Sequence, residues 1–316
     1  MEHINQLIKD NNIDELSTIP NIPSFKRFLN IHSVSSSVRV QIICNWTSSD
    51  DIMKTWNKMN PWLSIELVTN NPDFWIIINS PGNNTKYDPM KTIVFQMEPN
   101  MDKNQAVWGE WAHPNPDKFY KVCLHSDYVN PIEWHLSKTY KQILTEPVVK
   151  KHGDVISAIM SDRYHDEGQM LRIQFLKHMD TKNVIPIHVF GSNKFCYNNY
   201  KGSLPYHCKD DGLFPFKYTF AAENNSIYNY VTEKLVDAIL AECLCFYWGC
   251  PNIDEIIDPQ AYIVLPLDNF EKAYEIVRKA VSNNEWEKRL DIIRTEKKRI
   301  VEELQFFPFI EKIIHI

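Results

Sequence analysis

Short, unbroken apolar runs recur along this chain, and turn-forming residues bound most of them. In the first half they are Val38–Trp46, Phe74–Asn79, Lys91–Met97 and Phe119–Leu124. In the second half they are Val155–Met160, Pro186–Phe190, Lys217–Glu223, Cys243–Trp248 and Tyr262–Leu267. Continuous runs, rather than strict alternation, predict strands of a parallel sheet covered on both faces. Between them lie helical patterns over Asp50–Asn57, from Gln169 to Met179, from Thr232, over Phe270–Ser282 and over Glu285–Leu304. In the second of these, Leu171, Phe175, Leu176 and Met179 share one face. A Tyr128–Leu136 segment closes the first half, and polar, helix-compatible residues 137–153 provide a crossover. Two strand-helix series, each with its own sheet, predict an α/β protein of two Rossmann-like domains facing across a cleft. The first domain is expected over residues 1–148, with 1–35 as an extension whose helices break near Pro20 and Pro23. The second is expected over 149–316 and includes the C-terminal helices.

Composition agrees with that architecture. A chain of 316 residues, 44% hydrophobic and 23% charged, has room for about two ordinary domains. Net charge is −6, and no basic cluster is long enough to track a phosphate backbone, which speaks against a nucleic-acid partner. Seven cysteines without a Cys-x-x-Cys or a paired framework fit a reducing compartment. No apolar run approaches the ~18–20 residues of a membrane span, and no leader pattern opens the chain, so a soluble, cytoplasmic protein is expected. Sequons at Asn45, Asn83 and Asn224 are read as accidental, because two of them fall at a sheet end and in a binding loop.

The most informative stretch is 217–251. It reads as a strand, a polar loop, a helix capped by Thr232 and a short strand stopped by Gly-Cys-Pro. Glu233 and Lys234 occupy the first helical turn, where free backbone N–H groups and a positive dipole end favour an anion such as a diphosphate. Read alone, Thr-Glu-Lys is equally an ordinary capped helix start with a solvated lysine. The whole string changes the reading. Glu223, Asn224, Tyr230, Val231, Thr232, Glu233 and Lys234, followed by Tyr247, Trp248, Gly249 and Pro251, resemble the donor-binding signature of the α1,3/4-fucosyltransferase family in identity and spacing. The resemblance is dense over 155–268 and sparser over 36–135. It implies a fold of the GT-B type.

Further implications follow residue by residue. Glu98 directly follows Val94-Phe95-Gln96-Met97 and precedes Pro99, so its carboxylate emerges at the carboxyl end of the first sheet. The resemblance implies that it is the catalytic base. Glu110, within Trp108-Gly109-Glu110-Trp111, is the reserve candidate, and the indoles of that turn could equally line an acceptor platform. Arg172, early on the helix after the first strand of the second domain, resembles the family's phosphate-contacting arginine, and Arg163 is the nearest competitor. A guanidinium suits that role because it stays charged and binds phosphate oxygens in bidentate fashion. The matching positions imply that Lys234 contacts phosphate and that Asn224, Tyr230 and Glu233 contact phosphate, ribose or sugar. Glu223 is grouped with the donor-binding residues, although its expected task is to hold the loop shape through backbone N–H groups. Two positions depart from the family pattern. Ala222 stands where an aromatic is frequent and Asn229 where an aspartate is common, which bears on sugar selectivity.

Asp50-Asp51, Asp210-Asp211 and His165-Asp166-Glu167 lack metal-ligand spacing. With two cations and a helix N-terminus available for the leaving group, no cofactor or divalent metal is expected to be required. The resemblance thus implies an inverting glycosyltransferase that moves L-fucose from GDP-β-L-fucose to a hydroxyl of an oligosaccharide or glycoconjugate acceptor, with an α1,3-type linkage. The alternatives are the same fold with another nucleotide sugar, and a non-catalytic nucleotide-sugar or glycan-binding protein.

Overall fold

All nine apolar runs become strands, and every strand pair among the described residues is parallel. The structure is a computed structural model that describes residues 37–61, 64–83, 85–99, 101, 106–125 and 132–314. The 1–35 extension, Trp62 and residues 128–131 of the expected closing segment lie outside the described residues.

The first sheet contains β1 (Val38–Ile43), β2 (Ile65–Leu67), β3 (Phe74–Ile78), β4 (Thr92–Phe95) and β5 (Lys121–Cys123), in the order β2-β1-β3-β4-β5. The second contains β6 (His152–Met160), β7 (Ile187–Gly191), β8 (Tyr200–Gly202), β9 (Phe216–Ala222), β10 (Leu244–Trp248) and β11 (Tyr262–Val264), in the order β11-β10-β9-β6-β7-β8. Counted from β6, the second order is the 3-2-1-4-5-6 arrangement of nucleotide-binding sheets. Thr92–Phe95 and Leu244–Tyr247 are buried at every position, as strands covered on both faces must be.

Helices α1 (Ser49–Trp56), α2 (Tyr140–Thr145), α3 (Glu167–Lys182), α4 (Glu233–Leu240), α5 (Phe270–Ser282), α6 (Glu285–Arg299) and α7 (Phe306–Ile314) supply the cover, with a single helical turn at Asp210–Leu213. Ser48 caps α1 by accepting from the Asp51 N–H, and Ile52, Met53 and Trp56 form its buried face. Arg172 shares the buried face of α3 with Phe175, Leu176 and Met179. That face follows from the i, i+3, i+4, i+7 spacing.

The chain ends differently from the single helix predicted over Glu285–Leu304. It passes through a π-helical turn at Ile300–Leu304 and an extended Gln305, then starts α7. Pro308 falls in the first turn of α7, where the N–H groups have no intrahelical partner. Helix α7 packs on the first sheet: Phe306 meets Trp56 edge-on at 4.7 Å, and Phe309 lies 5.8 Å from Phe95. Gln305, fully buried, donates to the Met59 carbonyl at 3.1 Å and accepts from the Phe307 N–H at 3.0 Å. The last helix therefore adds core to the sheet that the chain built first.

No helix among the described residues is long and apolar enough to cross a membrane. All seven cysteines are free thiols, four of the five in buried positions being on or beside strands β1, β5 and β10.

Candidate active site

Parallel sheets open a crevice where neighbouring strands send their connections to opposite faces. In the second sheet that point lies between β6 and β9, so the loops after Met160 and Ala222 frame it. Glu223 is the first residue beyond β9 and is fully buried. Its carboxylate accepts from the Thr232 N–H at 2.9 Å, the Thr232 hydroxyl at 2.6 Å and the Tyr247 hydroxyl at 3.4 Å. One side chain thus ties both ends of loop 224–231 together. Gly249 makes room for it, since a Cβ there would sit 2.5 Å from Glu223 Cγ. The structure places Glu223 beneath the cleft rather than on its wall, so its contact with a ligand is indirect.

Helix α3 approaches the same loop end-on. The Gly168 N–H donates to the Asn224 carbonyl at 2.9 Å, and a Cβ on Gly168 would stand 2.0 Å from the Glu223 carbonyl oxygen. Glycine is the residue that permits this approach. Gly168→Ala is expected to push α3 and the loop apart and to cost about 1–3 kcal/mol of stability, by denaturant titration. Unchanged stability would show that the helix-loop contact tolerates a side chain.

One turn along α3, Arg172 is 6% exposed. It donates to Ser161 Oγ at 2.8 Å, the Ala222 carbonyl at 3.2 Å and Asn224 Oδ1 at 3.2 Å. Those bonds use three of its five N–H donors, and its Nε has no partner. Among the described residues it forms no ion pair. Burial lowers its pKa, against the pull of Glu223 and Glu233. A buried guanidinium held by neutral acceptors, with donors to spare, is suited to receive an anion. Arg163 also borders the cleft, but as an exposed side chain.

At the start of α4, Thr232 caps the helix as the sequence predicts, its hydroxyl accepting from the Lys234 N–H at 3.4 Å. Lys234 Nζ donates to the same hydroxyl at 3.0 Å and lies 3.4 Å from both Glu223 Oε2 and Glu233 Oε1. Glu233 is held in turn by Lys209, 3.2 Å away, and Lys209 reaches Asp237 at 2.8 Å. Burial opposes charge on both Glu233 and Lys234, but the neighbouring opposite charges prevail. Glu233 titrates well below the usual carboxylate range, and Lys234 is raised. Both are therefore charged at neutral pH. Lys209 escaped the sequence reading because nothing local ties it to a helix that starts 24 residues later.

Across the cleft, Glu98 is set by its backbone neighbours. The Met97 N–H donates to Asn79 Oδ1 at 2.7 Å, and His125 Nε2 lies 3.0 Å from the Met97 carbonyl. The Glu98 N–H donates to Gln96 Oε1 at 3.0 Å, and Gln96 Nε2 in turn donates to the Trp111 carbonyl at 2.5 Å. From this mount the exposed Glu98 side chain faces the cleft. Its charge reaches Tyr230, whose hydroxyl is pushed far above its ordinary range by burial first and then by Glu223, Glu98 and Glu233. Glu110 is exposed and does not border the cleft, whereas Trp108 does.

The cleft has a volume of about 910 Å³ and is bordered by Glu98, Asn224, Tyr230, Glu233 and Lys234 together. A second cavity of about 470 Å³ continues to Arg172 and shares Asn224, Glu233 and Lys234. Of the site residues expected from the sequence, Glu98, Arg172, Asn224, Tyr230, Glu233 and Lys234 border one cavity or the other, and Glu223 lies behind the wall. Among the described residues no three His, Cys, Asp or Glu side chains gather in metal-ligand geometry. The acidic pairs have local duties instead: Asp210 accepts from the N–H and hydroxyl of Ser137, and Asp166 caps α3.

Residues 149–289, which hold the switch point, Arg172 and the whole 223–251 string, match the model of the glycosyltransferase family 10 (fucosyltransferase) C-terminal domain. Over these residues the chain is similar to that family. An α-(1,3)-fucosyltransferase of Helicobacter pylori is 30% identical to this chain over 81 residues, which is 25% of this chain and 17% of the relative. The match thus spans about a sixth of that relative's length. A crystal structure of an α1,3-fucosyltransferase superposes with a TM-score of 0.52 at 15% identity, over 93% of this chain and 95% of that one. An α-glucosyltransferase solved with UDP and a 13-mer DNA containing an HMU base gives a TM-score of 0.57 at 10% identity, over 89% and 99%. At such identities the likeness is one of fold: two parallel-sheet α/β halves of the GT-B type. The matched residues contain the 223–251 string, while the half that carries Glu98 lies outside them.

Proposed function

We propose that this chain transfers L-fucose from GDP-β-L-fucose to a hydroxyl of a glycan acceptor, with inversion at the anomeric carbon and formation of an α1,3-type linkage. The observation that carries the proposal is the placing of Glu98 on one wall of a cleft whose other wall holds Lys234 and the α4 N-terminus, with Arg172 in the adjoining cavity. The family 10 match over the donor half supports fucose as the sugar.

In this reading Glu98 accepts the proton of the acceptor hydroxyl as its oxygen attacks the anomeric carbon from the face opposite GDP. A new C–O bond forms while the bond from the anomeric carbon to the β-phosphate oxygen breaks. The electron pair leaves on that oxygen, where Arg172, Lys234 and the free N–H groups of α4 offset the growing charge. Glu223 acts behind them by holding Thr232, and so the helix start, in place. No step of the proposal is routed through a metal or cofactor.

Two measurements test it. NMR of the fucosylated product reads the anomeric configuration and the linkage position; a β-linked product would overturn inversion. Lys234→Ala is expected to weaken GDP by about ten- to a hundredfold, the effect of losing one charge-assisted contact. Calorimetry showing wild-type affinity would remove Lys234 from the phosphate site.

A further inference from the structure

A side-chain amide joins the two walls of the cleft. Asn229 Nδ2 donates to the backbone carbonyl of His125 at 2.9 Å, across 104 positions of sequence. The other side of the amide is committed too, because Asn229 Oδ1 accepts from Asn252 Nδ2 at 2.9 Å. Asn252 Oδ1 accepts in turn from the Asn229 N–H at 2.9 Å. This reciprocal pair leaves the amide one orientation, with its NH₂ toward His125. Asn229 also has φ +60°, a left-handed conformation that asparagine tolerates better than most residues. Asn252 is anchored further by Glu255, which accepts its other N–H at 3.0 Å.

His125 is the residue that links this amide to the proposed base. Its ring nitrogen lies 3.0 Å from the carbonyl of Met97, the residue before Glu98. Its ring also stands edge-on to Tyr230 of the donor loop, 5.3 Å between centroids. A continuous path of contacts therefore runs from Asn252 through Asn229 and His125 to the backbone that carries Glu98.

We infer that Asn229 is a positioning residue for the transfer reaction, clasping the donor loop to the His125–Met97 mount and thereby setting how far Glu98 stands from the donor sugar. The inference rests on the proposed transfer activity. Asn229 lines neither cavity, so removing its amide leaves the proposed phosphate contacts of Arg172 and Lys234 intact. What changes is alignment, and a misplacement of about 1 Å can cost about a hundredfold in rate.

Two variants separate alignment from folding. Asn229→Asp keeps the shape but turns the donor into an acceptor facing a carbonyl. Asn229→Gly deletes the amide and keeps the left-handed backbone. Kinetics with GDP-fucose and a glycan acceptor, together with GDP titration and thermal melts, are expected to rank kcat as wild type above Asn229→Gly above Asn229→Asp. The Asp variant should fall by about 30-fold or more while GDP affinity and donor KM stay within about threefold of wild type. A kcat within twofold of wild type in the Asp variant overturns the proposal, as does a loss of GDP affinity that parallels the loss of kcat. Failure of both variants to fold assigns Asn229 to loop stability and overturns it too. An inactive wild type removes the transfer reading itself, an outcome distinct from an active enzyme indifferent to Asn229.

Discussion

Glu98→Gln is expected to bind GDP within about twofold of wild type and to lose about 10²–10⁴ in turnover, the range supplied by a positioned general base. The carboxamide fits the same space, and the backbone that mounts it is held by Asn79, His125 and Gln96. The variant therefore removes proton acceptance and leaves the mount standing. GDP should be insensitive because its proposed contacts come from the opposite wall. Stopped-assay kinetics beside calorimetry checks both halves of the expectation. Unchanged turnover would exclude Glu98 as base and return attention to the other carboxylates of the cleft, Asp51, Glu133 and Glu233.

Arg172→Ala should be the most damaging change on the donor wall. The guanidinium is buried and, among the described residues, bonded to Ser161, Ala222 and Asn224 and unpartnered at Nε. Its substitution would leave the departing diphosphate beside Glu233 with one compensating cation fewer. A loss of about 10²–10³ in kcat is expected, comparable to removing one preorganised donor at a site of developing charge, together with weaker GDP binding. Arg172→Lys retains the charge without the planar fork and should recover part of the affinity but little of the rate. Equal activity of the Lys variant and wild type would reduce the role of Arg172 to charge alone.

What the sequence made legible follows from how local each signal is. Thr92–Phe95 and Leu244–Trp248 were readable as strands because full burial demands an unbroken apolar run. Ile65–Leu67 and Tyr200–Gly202 were not. Each is a three-residue edge strand paired on one side only, too short for any period to show. The turn at Ile300–Leu304 passed as helix because a π turn keeps the helical composition. Helix α7 was missed because Phe306–Phe309 is apolar all round apart from Pro308, which reads as a break although the first turn accepts it.

The same distinction governs the site. Glu223, Thr232 and Lys234 lie within a dozen residues, so their mutual geometry is written in one loop and its helix cap. Arg172 was legible as a helix residue, and its spacing to Phe175 and Leu176 already puts it on the buried face. Lys209 and His125 act over separations of 24 and 104 residues. The first contact exists only once the second sheet is assembled, and the second only once both sheets are.

The central claim is that this cleft holds GDP-fucose and passes its sugar to a glycan. It is tested most directly by following GDP release from GDP-fucose with and without a panel of disaccharide acceptors, after GDP binding has been titrated by calorimetry. Saturable GDP binding with release that accelerates only when a suitable acceptor is present is the predicted result. Absence of guanine-nucleotide binding would contradict the account at its root, and tight GDP binding without acceptor-dependent release would make the cleft a binding site only.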